Sequence, residues 1–410
     1  MGGVVIAGAG PGGAALALLL AQRGVEVTLV ERHDDFSREF RGERLMPAGM
    51  DLLRQLGLGD RPDGLPQRRI DGTEVFVDGR RRFGFSFGDE QAPTYLPQAP
   101  LLEAIVESAR DHPHFQLLRG AVARDVVRDG SGRVVGLLVD DGSAVRTLEA
   151  DLTVAADGRA STVRRKAGFS LPITSPEAYD VVWVAGPGPD GDETSVTARM
   201  YLARKGAMVF TLPAPDGSMQ IGAVIEKGAF GEMRGGDAWF DLIGDAVSPD
   251  LAHHLGLHRE RLSHTLLDVV CFQVDRWSQP GLLLIGDAAH PMSPMGGQGI
   301  GMALRDTVVA VNHLAPALAS EVDSVAVDRA CGRIEAERRP EIDRIQQVQR
   351  RSIPMLQQRT LRSRVIARRV APALSRVAPA VLARAVGGRR EMVRGVTEVT
   401  LDPLPAAPVN

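Results

Sequence analysis

Within the first 31 residues an apolar run, a glycine-rich turn, a helical stretch and a second apolar run ending in an acid follow at fixed spacing. Val4 to Ala7 reads as a buried strand and Gly8 to Gly13 as a turn. Residues 14–23 read as a helix stopped by Gly24, and residues 25–30 as a second strand ending at Glu31. A strand–helix–strand unit of roughly 30 residues begins a parallel, doubly wound sheet, because a crossover helix lets neighbouring strands run the same way. Gly8, Gly10 and Gly13 satisfy the pattern G-x-G-x-x-G. Gly8 permits the tight turn, Gly10 lets the backbone approach a pyrophosphate, and Gly13 lets helix and strand lie close. The helix start offers unpaired N–H groups to phosphate, so Pro11 and Gly12 are counted with this site. Glu31, with Arg32 beside it, stands where a carboxylate accepts from ribose hydroxyls. The same charge repels a 2′-phosphate, so NADP is not the nucleotide expected in this turn.

The rest of the chain continues the α/β pattern. Residues 47–56 and 101–110 read as helices. Residues 73–77 and 82–87 read as strands, as do 121–127, 133–139 and 145–148, with turns at Asp129-Gly130 and Asp141-Gly142. Residues 151–156 return to a buried strand. From about 173 to 265 the texture changes to a mostly antiparallel sheet, with strands at 181–185, 195–202, 207–212 and 219–225. Residues 281–285 give another buried strand, a glycine-rich loop follows, and a helix starts near Ile300. The tail beyond about 335 reads as largely helical. The expectation is a Rossmann-like cofactor domain (1–72, 96–172 and 266–340), an inserted substrate domain (73–95 and 173–265), and a helical C-terminal segment (341–410).

Bulk properties narrow the function. At 410 residues the chain can bury more than one core. A net charge of -3 gives no global attraction to nucleic acid. Cys271 and Cys331 are its two cysteines, without disulfide or zinc spacing, and the histidines show no metal-ligand motif. Redox chemistry must therefore come from a bound cofactor. The N-terminus has no basic region or long apolar core, so a cytoplasmic protein is expected.

Two further segments complete the pattern. Asp157-Gly158-Arg159 follows the strand at 151–156, with Ser161, Arg164 and Arg165 behind it. Gly286-Asp287-Ala288-Ala289-His290-Pro291 runs into Pro294-Met295-Gly296-Gly297-Gln298-Gly299. With the opening fingerprint, these resemble in order and spacing the three motifs of the group A flavoprotein monooxygenases, the family of para-hydroxybenzoate hydroxylase and the ubiquinone-biosynthesis hydroxylases. The resemblance covers residues 1 to about 315. It implies FAD as cofactor, NADPH or NADH as transient hydride donor, and molecular oxygen as co-substrate. Reduced FAD then delivers an oxygen atom, through a C4a-hydroperoxide, to an electron-rich small molecule by hydroxylation or epoxidation.

By residue type, Asp287 can accept from the sugar-alcohol chain of a flavin nucleotide. Pro294, Gly297, Gly299 and Ile300 bring backbone to a planar ring, and the following helix aims its positive end at it. The resemblance adds Asp157 and Gly158 for FAD and NAD(P)H, Arg41 for the FAD phosphates or the mobile flavin, and Gln98 for the ribityl or phosphate groups. Gly301 departs from the family, which often carries Asn there. Each residue also has a plainer reading: an Asx turn for Asp157, surface charge for Arg41, an ordinary loop position for Gln98.

No residue declares itself catalytic. His290 sits in the flavin loop and reads first as packing, second as an acid or base. Tyr201 and Arg204 lie in the inserted sheet and read first as ordinary sheet positions. Trp183, Met200, Val209, Phe210 and Ile225 suggest either an apolar pocket wall or plain core, hence a hydrophobic, aromatic or polyketide-like substrate. The rivals are a flavin-dependent halogenase, whose W-x-W-x-I-P context none of the three tryptophans has, a reductase of isoprenoid double bonds, and a non-catalytic FAD-binding protein. The arginines from Arg362 to Arg394 read as a solvated face, with contact to anionic lipid as the second reading.

Overall fold

Val4–Ala7 is buried along its whole length and lies inside a six-stranded sheet. The order is Ser278–Gln279, Leu282–Leu284, Leu152–Ala155, Val4–Ala7, Val27–Val30, Phe115–Leu118, parallel except for the first strand. Continuous apolar strands are what a sheet covered on both faces requires. The Pro11–Ala21 helix, apolar on every side, fills the space between this sheet and the Gln98–Arg110 and Gly299–Leu318 helices. The computed structural model describes residues 3–37, 43–58, 64–171, 179–189, 197–203, 207–233, 237–319, 322–356, 360–378, 381 and 390–404.

An antiparallel meander, Val122–Arg128, Val134–Asp140 and Val145–Glu149, covers one side. Its turns close as the Asp-Gly pairs predict: Asp129 Oδ1 accepts from Ser131 N at 2.9 Å and Asp141 Oδ1 from Ser143 N at 3.0 Å.

The third layer is a seven-stranded sheet, antiparallel except where Thr197–Leu202 runs parallel to Gly72–Val77. Side chains alternate faces along a strand, and here each face has its own core. Val181 and Trp183 point inward, towards Met295 of the glycine loop. Val182 and Val184 point outward onto Trp239, Ile243 and Leu251. Those last three belong to the helices Ala238–Ala246 and Pro249–Leu257, which the sequence reading does not anticipate. Their apolar residues recur at helical spacing and cover a face that would otherwise be wet.

Beyond the 33-residue helix Ser324–Leu356 the described tail forms short helices. Among the described residues no helix is long and apolar enough to cross a membrane. Arg368 pairs with Asp78 and Arg394 with Asp51, so these two tail arginines are tied to the body.

Candidate active site

The nucleotide turn is forced to be glycine at two positions for different reasons. Gly8 has φ +99°, and a Cβ there would lie 2.6 Å from the Ala156 carbonyl oxygen. A Cβ on Gly13 would lie 1.9 Å from the Gly8 carbonyl oxygen. Gly10 differs: nothing lies within 4 Å of its Cβ position, so it borders open space. The Pro11–Ala21 helix behind it has no side-chain cap and no acid in its first turn. Its first N–H groups and its partial positive charge are therefore available to an anion. Glu31, 3% exposed, is fixed beside them, accepting from Ala9 N at 2.9 Å and His33 N at 3.1 Å. Arg32 is exposed and donates from Nε to His33 Nε2. Gly12 faces the other way: its Cβ position is 3.4 Å from Ala303, and its carbonyl accepts from Thr307 Oγ1. It is a helix-packing position.

The Asp287 loop is held from behind. Gly286 donates its N–H to Asp306 Oδ2 at 3.0 Å, and Ala288 and Ala289 are fully buried. The Asp287 side chain, between buried Gly286 and Ala288, is exposed. Asp306 also accepts from His290 Nε2 at 2.7 Å and Arg338 Nε at 2.8 Å. Arg338 and Arg305 share Glu341. His290 is 1% exposed and its ring tilts against Trp277 at 4.7 Å. The ring is a packing element inside the protein, the first of its two readings, and not an acid or base facing the site.

Asp157 is committed locally. Its carboxylate accepts from the Ser161 hydroxyl, from Thr162 N at 2.7 Å and from Val163 N at 3.1 Å. That is the plainer reading of the motif, a turn and helix cap. Gly158, at φ +84°, makes the bend, with nothing within 4 Å of its Cβ position. Arg164, absent from the predicted site, joins the two walls: Nη1 donates to Ala288 O and Nη2 to Arg159 O, both at 2.8 Å. Burial lowers the pKa of its guanidinium, and Asp157 opposes that shift.

The glycine loop turns at Gly296 and Gly297, with φ +85° and +63°. Gly299 opens the next helix, again without a side-chain cap or an acid in its first turn. Space is open at the Cβ positions of Gly299 and Gly301. Pro294 O accepts from Gly297 N at 3.1 Å. The Ile300 side chain is buried in the main core, leaving only its backbone to the loop. Gln349 Nε2 donates to Ser293 O and Met295 O, both at 2.9 Å, and Tyr179 OH bonds Ser293 Oγ. Gln298 Nε2 donates to Gly296 O at 3.0 Å and Met392 O at 2.8 Å. None of these braces was predicted; for Gln349 alone a signal was available, as a buried glutamine on an otherwise charged helix.

Glu43 closes the remaining side. It accepts from Tyr95 OH, from Gln220 Nε2 at 2.8 Å and from Gln98 N at 3.1 Å, so Gln98 starts its helix against this carboxylate. Burial first, and then Glu43, push the Tyr95 phenol far up. Arg41 and Arg204 lie outside the described residues.

The inner face of the large sheet provides an aromatic wall. Phe210 stands edge-on to Trp183 at 5.1 Å, and its ring lies over Gly222, whose Cβ position is 2.1 Å from the ring. Met200, Phe85 and Phe87 share this face. Tyr201, Val209 and Ile225 point to the opposite face; Tyr201 is fully buried and stacks on Phe76 at 4.7 Å. Tyr201 is thus the ordinary sheet position it first reads as, and Val209 and Ile225 are plain core rather than pocket wall.

Two uncapped helix N-termini, an acid at the strand end, small residues around Asp287 and open space at Gly10, Gly299 and Gly301 fit an extended dinucleotide with a planar ring. Fold and site thus define an FAD-dependent oxidoreductase. The chain belongs to the family described as FAD binding domain, which it matches over residues 2–349, and it is an FAD-dependent monooxygenase. It is 33% identical over 356 residues to 6-methylpretetramide 4-monooxygenase of Streptomyces rimosus, covering 84% of this chain and 82% of that protein. The fold matches p-nitrophenol 4-monooxygenase PnpA from Pseudomonas putida DLL-E4 with a TM-score of 0.79 at 18% identity, covering 97% of this chain and 99% of that one. It matches P. aeruginosa PqsL in complex with 2-aminobenzoylacetate with a TM-score of 0.70 at 23% identity, over 84% and 94% of the two chains. FAD is the cofactor, NAD(P)H the reductant and dioxygen the co-substrate.

Proposed function

We propose that the enzyme hydroxylates a hydrophobic, planar aromatic molecule of the polyketide type, bound between the glycine loop and the inner face of the seven-stranded sheet. The observation that carries this reading is the wall of Trp183, Phe210, Met200 and Phe87 facing Met295. Phe210 and Met200 are only partly buried there, as pocket-lining side chains are. The likeness to the 6-methylpretetramide 4-monooxygenase of Streptomyces rimosus supports the substrate class.

When bound, FAD supplies hydride acceptance from NAD(P)H and oxygen activation; the chain supplies the rest. In this reading Gly10 and the first turn of the Pro11–Ala21 helix would hold the pyrophosphate, and Glu31 would hold the ribose. Asp287 would hold the ribityl chain, and the backbone of residues 294–300 would hold the ring. The N-terminus of the Gly299–Leu318 helix favours negative charge at the ring edge it faces. The aromatic wall excludes water and orients the substrate ring. No side chain of the wall is an acid or base, so the wall positions and the cofactor reacts. The division into a cofactor domain, a substrate domain and a C-terminal segment belongs to the same proposal.

The test is a screen of polycyclic phenols for stimulation of NAD(P)H oxidation with matching oxygen uptake. The expected product gains one oxygen atom and no halogen. A halogenated product in the presence of halide, or turnover of isoprenoid double bonds without oxygen uptake, would contradict the reading.

A further inference from the structure

Arg44 lines the site and has no carboxylate partner among the described residues. It lies on the short strand Arg44–Leu45, paired with Thr94–Tyr95, where the cofactor and substrate layers meet. Its Cβ, Cγ and carbonyl oxygen each stand 3.1 Å from the Cβ position of Gly297, so its stem lies against the glycine loop. Its guanidinium carbon is 5.5 Å from the centre of the Phe87 ring, on the aromatic wall. Its Nε is buried without a hydrogen-bond partner. The adjacent carboxylate does not answer it: Glu43 is taken by Tyr95, Gln220 and the Gln98 N–H. Burial lowers the Arg44 pKa to about 10, which still leaves it cationic at neutral pH.

Arg44 as a whole is half-buried, but its Nε is out of water with no acceptor, which is costly, and a cation–π contact returns only part of that cost. Such an arrangement is sustained where a ligand brings the anion. The phosphate cradle is at Gly8–Gly13 and the ring edge already has an uncapped helix N-terminus. The Arg44 head is turned instead to Phe87, on the substrate side.

We propose that Arg44 forms a subsite for an ionised oxygen (an enolate, phenolate or carboxylate) on the aromatic substrate, and that it selects anionic over neutral substrates. The inference rests on the aromatic pocket proposed above and adds its charge preference. The planar fork of a guanidinium suits two-point hydrogen bonding to such an oxygen acid. An ionised ring oxygen also enriches the ring carbons that accept an electrophilic oxygen atom.

The experiment is equilibrium dialysis of the oxidised holoenzyme against 2-naphthoate and the isosteric, neutral 2-naphthamide. The wild type binds the anion at least about tenfold more tightly. Arg44→Gln abolishes that preference while 2-naphthamide binding and FAD stoichiometry stay unchanged, and Arg44→Lys restores part of it. Equal binding of the two probes by the wild type, or a preference that survives Arg44→Gln, overturns the Arg44 subsite and leaves the aromatic pocket standing. Failure of both probes to bind the wild type overturns the pocket itself and the subsite with it. If Arg44→Gln does not retain FAD, the Arg44→Lys holoenzyme is compared instead, and a preference for 2-naphthoate undiminished from the wild type's overturns the subsite.

Discussion

The Nε2 of His290 lies 2.7 Å from Oδ2 of Asp306, and neither side chain is reached by solvent. Burial alone would raise the Asp306 carboxyl; His290 and Arg338 outweigh it and hold the pKa at about 2 against an ordinary 3.8. A depressed folded value means the charged form adds stability above about pH 4, and that this stability is lost as pH falls towards 2. Asp306→Asn is expected to cost about 3–5 kcal/mol at neutral pH, because Arg338 keeps its buried charge with one partner fewer. Urea unfolding at neutral and acid pH measures this: the gap between wild type and variant should narrow in acid, and a constant gap would refute the assignment.

Gly10 and Gly13 should respond differently to one methyl group. Gly13→Ala meets the Gly8 carbonyl oxygen at 1.9 Å and should not fold stably. Gly10→Ala meets nothing within 4 Å and should fold. It should nevertheless bind FAD roughly tenfold or more weakly, since the methyl occupies the space assigned to the pyrophosphate. Circular dichroism and FAD titration separate the two outcomes.

Gln298 braces the flavin loop internally through Gly296 O and ties it to the short helix Arg390–Arg394 through Met392 O. Gln298→Leu leaves both carbonyls without that donor, at a cost of about 1–3 kcal/mol. The loss should fall mainly on the loop. Ultrafiltration should show faster FAD release, with a smaller change in global unfolding than Asp306→Asn gives.

Tyr201 and Phe210 lie on opposite faces of one sheet. Tyr201→Phe should leave kcat/KM within about twofold, whereas Phe210→Ala should raise KM by about tenfold through lost aromatic contact. Steady-state oxygen uptake with a substrate from the screen tests both; the reverse ranking would place the pocket on the wrong face.

The nucleotide turn was legible because its constraints are local. Gly8, Gly10, Gly13 and Glu31 act through spacing within one strand–helix–strand unit. The braces were not, because Arg164 meets Ala288 across 124 residues and Gln298 meets Met392 across 94. Periodicity carries no information about such pairs. The side to which Tyr201 points was equally hidden: both faces of its strand are covered, so alternation marks neither as the pocket. Asp157 shows a third limit, since a capping carboxylate and a cofactor-binding one look alike in sequence.

The cradle is shaped for FAD, and titrating the purified protein with FAD while recording the flavin absorbance bands tests this most directly. One equivalent should bind to the wild type, with its bands perturbed from those of free FAD, and Gly10→Ala should bind markedly more weakly while staying folded. A wild-type protein that neither carries flavin nor takes it up would contradict the account.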